Sequence, residues 1–134
     1  FICVEGWYKN KEFCSQMLSN MTYFPPQFNM DKIWKKTRIL LVPSNVPEAF
    51  GRVIVEANLH GIPVIAHNVG GIPEAMNGAG ILQNSLNIKD WIQSIKIIDN
   101  DKNAYKLKAI TAAQKFTRDV VTEFLFLCGS FNSK

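Results

Sequence analysis

Two carboxylates, Glu48 and Glu56, stand on either side of a predicted helix start in residues 43–74. Carboxylates accept hydrogen bonds from the hydroxyl groups of sugars and riboses. The backbone N–H groups between them lie where the helix opens and lack intrahelical acceptors, and they belong to Phe50, Gly51, Arg52 and Val53. Such amides, together with the helix dipole, suit a phosphate. The spacing therefore predicts a site for a polyhydroxylated phosphate ligand, such as a nucleotide sugar.

The elements that must position these groups can be predicted from the apolar pattern. Residues 39–42 and 64–66 are short apolar runs typical of buried parallel strands, and residues 53–59 suit a packed helix. Gly61 and Pro63 follow in the order that ends a helix. Because crossovers between parallel strands are right-handed, the loops after both strands should lie at the carboxyl edge of the sheet, where ligands bind.

The second of these loops contains Gly70 and Gly71. Gly70 alone favours a tight turn, whereas the pair could let the backbone approach a ligand, so both are candidates for a ligand-binding loop. Three apolar runs separated by helix-sized intervals predict an α/β fold with a doubly wound parallel sheet, with Cys3, Leu41 and Ile65 on its central strands.

Residues 47–74, PEAFGRVIVEANLHGIPVIAHNVGGIPE, resemble the E-x7-E signature region of retaining GT-B glycosyltransferases. The similarity continues into residues 78–82, GAGIL. The resemblance implies a Rossmann-like nucleotide-sugar-binding domain that takes part in sugar transfer from a nucleoside diphosphate to an acceptor hydroxyl, with retained configuration. It assigns donor positioning at the catalytic centre to Glu48, the ribose hydroxyls to Glu56, and the leaving diphosphate to the amides of residues 50–53. It implies neither a cofactor nor a metal ion.

Residues 1–134 are predicted to be one partial domain with a C-terminal helix at about residues 118–128. Residues 1–4 resemble the second strand of the family's C-terminal domain. We therefore expect the first strand and helix, and an N-terminal acceptor-binding domain, upstream of Phe1. Further helices are predicted over residues 7–21, 30–36, 88–98 and 105–116, with a strand over 22–24. The isolated chain should then bind a nucleoside diphosphate weakly and transfer nothing.

The sequence leaves open several alternatives for the function and for the roles of Glu56 and His67. A nucleotide-sugar 2-epimerase of GT-B architecture or a non-catalytic nucleotide-sugar-binding module would share the same site. Glu56 could instead form a helix-internal salt bridge with Arg52, which precedes it by four positions. His67, at the end of a strand, could bind ligand or serve the structure alone.

Composition favours a globular α/β domain, with 47% hydrophobic and 19% charged residues. The net charge of +4 does not indicate nucleic-acid binding, because basic residues form no stripe with aromatic ones. The three cysteines lack metal-ligand spacing, which favours reduced thiols in a cytoplasmic protein. The resemblance adds peripheral contact with the inner face of a membrane as an option for the full-length protein.

Overall fold

The computed structural model describes residues 1–4, 18–27 and 29–131, with side chains up to Phe116. They fall into two compact units, Phe1–Thr37 and Arg38–Lys134. The elements in chain order are β1 (Ile2–Val4), β2 (Thr22–Phe24), α1 (Asp31–Trp34), β3 (Leu40–Val42), α2 (Arg52–Leu59), β4 (Val64–His67), α3 (Ile72–Met76), β5 (Ile81–Gln83), α4 (Ile88–Asn100) and α5 (Lys102–Phe131).

The first unit contains a parallel pair of strands, β1 and β2, in which Cys3 lies opposite Tyr23. The predicted strand over residues 22–24 is confirmed. The short helix α1 buries Ile33 and Trp34, and Asn29 Oδ1 accepts a hydrogen bond from the Asp31 N–H at 2.8 Å. The helix predicted over residues 7–21 lies almost wholly outside the described residues.

The second unit is built on a parallel sheet with the strand order β3-β4-β5. Leu41 pairs with Ile65, and Ile65 pairs in turn with Ile81. This confirms the predicted parallel pairing of the apolar runs. Only part of the expected strand placement holds, however: Ile65 is on the central strand, Leu41 is on the edge strand β3, and Cys3 belongs to the separate two-stranded sheet. Three-residue strands such as β1 carry too little pattern to predict which sheet they join.

Each strand of this sheet is followed by a helix, which gives the unit its Rossmann-like α/β architecture. Ile65, Trp91 and Ile98 form a buried cluster between the sheet and α4. Helix α5 packs along α2, and Ala109, Ala112 and Ala113 of α5 are all buried. Residues 118–128, predicted as a separate helix, continue α5 without a break, since no glycine or proline occurs between residues 102 and 128.

Helix α2 ends as its sequence predicts. Gly61 adopts a left-handed φ of +67°, and its N–H donates to the Asn58 carbonyl at 2.9 Å. The Ile62 N–H reaches back to the Ala57 carbonyl at 2.9 Å, so two carbonyls of the last turn are paired. Within the part of the chain that is described, no helix is both long enough and apolar enough to cross a membrane.

Candidate nucleotide-sugar site

Polar side chains gather where the three parallel strands of the second unit end. Ser44 follows β3, His67 closes β4, and Asn84 follows β5. Asn68 joins two of these loops, because its Nδ2 donates to Asn84 Oδ1 at 2.8 Å and its N–H donates to the Gln83 carbonyl at 2.7 Å. The carboxyl edge of the sheet is therefore polar and cross-linked, as a binding edge of an open α/β sheet should be.

The first turn of α2 opens at this edge. Gly51 precedes the helix with φ +72° and ψ +52°, a left-handed conformation that strongly favours glycine. No side chain caps the helix. The N–H groups of Arg52 and Val53 find no acceptor among the described residues, so they are available to a ligand. The dipole of α2 adds partial positive charge at this place, which favours an anion.

Glu48 lies beside this helix opening and is half-buried. The Ser44 hydroxyl donates to its Oε1 at 2.5 Å. Its Oε2 would lie 3.4 Å from a Cβ placed on Gly51, so the carboxylate stands next to the residue that begins the helix. The predicted proximity of Glu48 to the helix opening is thus seen directly.

Gly70 and Gly71 let two loops of the edge pack backbone to backbone. A Cβ on Gly70 would lie 2.5 Å from the Glu48 carbonyl oxygen, and one on Gly71 would lie 2.1 Å from the Ala49 carbonyl oxygen. The Gly71 N–H donates to the Glu48 carbonyl at 2.8 Å. These glycines therefore hold the loop that carries Glu48. A direct approach of Gly70 and Gly71 to a ligand stays a prediction.

His67 has a structural partner in the same network. Its Nδ1 lies 2.7 Å from the Ser44 carbonyl oxygen. Since a carbonyl oxygen only accepts, Nδ1 carries the proton, and Nε2 is the basic nitrogen of the neutral ring. Of the two roles left open for His67, the structural one is therefore observed.

Glu56 lies in the second turn of α2 and is half-buried. It makes no ion pair with the exposed Arg52, so the alternative of a helix-internal salt bridge does not hold in this structure. Its backbone carbonyl lies 2.8 Å from His60 Nδ1. That Glu48 and Glu56 line one cleft stays a prediction.

Metal-ligating side chains do not cluster at this edge: in the described ranges, no three His, Cys, Asp or Glu residues come together. Backbone amides and the Glu48 carboxylate meet at the opening of α2, where the Arg52 side chain is exposed. Amides and arginine donate hydrogen bonds to phosphate, and carboxylates accept them from hydroxyls. This chemistry matches a ligand that carries both phosphates and hydroxyls.

Comparison with known proteins decides the family. The profile of the glycosyl transferases group 1 matches residues 10–116, which includes the whole of the site described above. The chain belongs to this family. Its parallel α/β fold is also that of GT-B glycosyltransferase structures.

Curated relatives of this group 1 chain include D-inositol 3-phosphate glycosyltransferases. The Corynebacterium aurimucosum enzyme is 35% identical over 98 residues, which are 69% of this chain and 23% of the relative. The Mycolicibacterium smegmatis enzyme is 32% identical over 102 residues, 72% of this chain and 23% of the relative. The chain thus spans about a quarter of the length of these relatives.

Among solved structures, Anabaena Alr3699/HepE in complex with UDP-glucose superposes with a TM-score of 0.74 at 26% identity. The match covers 92% of this chain and 36% of HepE.

One residue at this edge of the sheet, Ser44, could not be singled out from the sequence. Ser44 contacts both Glu48 and His67, and the sequence pattern alone gives it no role. Its spacing of four positions from Glu48 was visible, yet such a spacing predicts contact only within a helix. Residues 43–51 form no helix, so the contact depends on a loop shape that periodicity does not encode.

Proposed function

We propose that this chain binds the donor of a retaining glycosyltransferase, which transfers a sugar from a nucleoside diphosphate to an acceptor hydroxyl. The observation that carries the proposal is the placement of the Glu48 carboxylate beside the opening of α2, where two N–H groups face no acceptor within the described residues. The complex of HepE with UDP-glucose supports a nucleotide sugar as the ligand class. The E-x7-E pattern formed by Glu48 and Glu56 supports retention.

In the proposed reaction, the bond between the anomeric carbon and the diphosphate oxygen breaks, and a bond to the acceptor oxygen forms on the same face. The proton of the acceptor hydroxyl passes to the departing diphosphate. Negative charge builds on that diphosphate, and the N–H groups of Arg52 and Val53 stabilise it because they are already oriented. No resident cofactor or metal ion takes part in the proposal.

The two carboxylates bind different parts of the donor. Glu48, held by Ser44, accepts hydrogen bonds from hydroxyls of the transferred sugar and orients it. Glu56, one turn into α2, accepts them from the ribose. Neither acts as a covalent nucleophile. A cytoplasmic location and contact with a membrane surface remain predictions for the full-length protein.

The ribose assignment can be tested on the chain itself by calorimetry with UDP and 2′,3′-dideoxy-UDP. Wild type should prefer UDP, and Glu56→Gln should weaken UDP binding by about five- to tenfold, since a charge-assisted hydrogen bond is lost. The variant should bind dideoxy-UDP as wild type does, so the preference disappears.

Asp90→Asn is the matched control, because Asp90 is an exposed carboxylate in the first turn of α4 and should leave both affinities unchanged. A Glu56→Gln chain that keeps the full preference for UDP would contradict the ribose role.

A further inference from the structure

The chain of contacts from His67 through Ser44 to Glu48 crosses from β4 to the loop after β3. His67 Nδ1–H donates to the Ser44 carbonyl at 2.7 Å, and the Ser44 hydroxyl donates to Glu48 Oε1 at 2.5 Å. All three residues are half-buried, so these bonds are partly shielded from water. One residue, Ser44, thus presents its backbone to the histidine and its side chain to the glutamate.

We propose that His67 and Ser44 are positioning residues for Glu48, a role that rests on the proposed contact between Glu48 and the donor sugar. His67 fixes the backbone of Ser44, and Ser44 fixes one oxygen of the carboxylate. The other oxygen, Oε2, is thereby held near Gly51 at the opening of α2. Without this bond, a glutamate on a loop would sample several rotamers and lose binding energy when it orders.

Ser44 is needed to position the side chain of Glu48 but not its backbone. The Glu48 backbone is already fixed, because its carbonyl accepts the Gly71 N–H at 2.8 Å. Only the side-chain torsions remain to be set, and the Ser44 hydroxyl sets them. Loss of Ser44 or His67 should therefore disturb the Glu48 carboxylate more than the loop, and disturb sugar binding more than diphosphate binding.

The test compares the affinities of UDP and UDP-glucose for the chain, measured by calorimetry. Wild type should bind UDP-glucose more tightly than UDP. Ser44→Ala and His67→Ala should each weaken UDP-glucose binding by about five- to tenfold and leave UDP binding unchanged, which also shows that the variants are folded. His67→Asn should restore the affinity for UDP-glucose, because its side-chain N–H can take the place of Nδ1–H.

Two control variants remove the same side-chain types at positions without a contact to Glu48 Oε1 or to the Ser44 carbonyl. His60→Ala removes a ring whose Nδ1 also contacts a backbone carbonyl, that of Glu56, but not one linked to Glu48. Ser85→Ala removes a hydroxyl from the loop after β5, where its Oγ accepts the Asn87 N–H. Neither change should alter the ratio of the two affinities.

A spectroscopic readout adds an observation that does not depend on the nucleotide. Nitrogen-15 NMR of the His67 ring should show the proton on Nδ1 in the neutral form, and Ser44→Ala should leave it there because the carbonyl remains. A proton on Nε2 would overturn the proposal.

The binding outcomes distinguish failure of the positioning role from failure of the proposed contact between Glu48 and the donor sugar. If wild type prefers UDP-glucose and Ser44→Ala and His67→Ala keep that preference, the positioning role fails and the proposed function stands. If wild type binds UDP and UDP-glucose equally, the contact between Glu48 and the sugar fails, and the positioning proposal fails with it.

Discussion

Gly71→Ala should lower the free energy of unfolding by about 3 kcal/mol and abolish UDP binding. The added Cβ would lie 2.1 Å from the Ala49 carbonyl oxygen and 2.8 Å from its carbonyl carbon, and both are backbone atoms that cannot rotate away. The loop of residues 47–50 must move, and the hydrogen bond from the Gly71 N–H to the Glu48 carbonyl must stretch or break. Because the same loop leads into Gly51 and α2, the anion site is displaced with it.

Gly78→Ala measures the backbone strain of a glycine substitution without a steric clash. Gly78 has φ +79°, yet a Cβ there would have no atom within 4 Å, so only backbone strain of about 1 kcal/mol is expected. UDP binding should survive. Urea unfolding followed by circular dichroism gives the stabilities, and calorimetry gives the affinities. A Gly71→Ala chain as stable as Gly78→Ala, with UDP binding intact, would contradict the packing described for this loop.

Asn58 provides the second large expected effect. Its side chain is fully buried in α2, and neither Oδ1 nor Nδ2 has a hydrogen-bond partner among the described residues. Asn58→Leu, which keeps the branching and the number of side-chain heavy atoms, should raise the free energy of unfolding by about 1–2 kcal/mol because no polar group then stays unpaired. Asn58→Asp should instead lower it by about 3 kcal/mol or more at neutral pH, since a carboxylate would be buried unpaired.

The two Asn58 variants also differ in their pH dependence. Burial raises the pKa of the introduced carboxyl in the folded state, so the folded chain retains a proton that the unfolded chain has lost. The cost of Asn58→Asp should therefore grow as the pH rises above about 4 and shrink below it. Asn58→Leu should show no such trend. Denaturant unfolding at several pH values measures both, and a destabilised Asn58→Leu chain would mean that the amide does have a partner.

The parallel strands β3 and β4, the helix between them and its glycine stop could be predicted because each depends on local pattern. Leu41 and Ile65 lie in continuous apolar runs, and Gly61 stands where a left-handed residue is required. The sheet to which Cys3 belongs could not be predicted, because strand order depends on contacts distant in sequence. The length of α5 was underestimated, since residues 116–120 contain no helix breaker to mark an end.

The site likewise combines features that depend on local pattern with features that depend on contacts distant in sequence. The position of Glu48 beside Gly51, at the opening of α2, follows from a strand-to-helix turn and could be predicted from spacing. The link from Ser44 to Glu48 and His67 could not, because it joins a loop to a neighbouring strand through side-chain rotamers. The glycine pair was recognised as permissive, but its neighbours, the backbone atoms of residues 47–50, are set by the tertiary fold.

The most direct test of the central claim is an NMR titration of the nitrogen-15-labelled chain with UDP, UMP and uridine. If the opening of α2 binds the diphosphate, UDP should cause its largest amide shifts at Gly51, Arg52 and Val53, because hydrogen bonds to phosphate form there. UMP should cause smaller shifts at the same amides, and uridine should leave them in place. Binding of UDP at millimolar concentration with these three amides unmoved, or no binding at all, would contradict the assignment of the donor site.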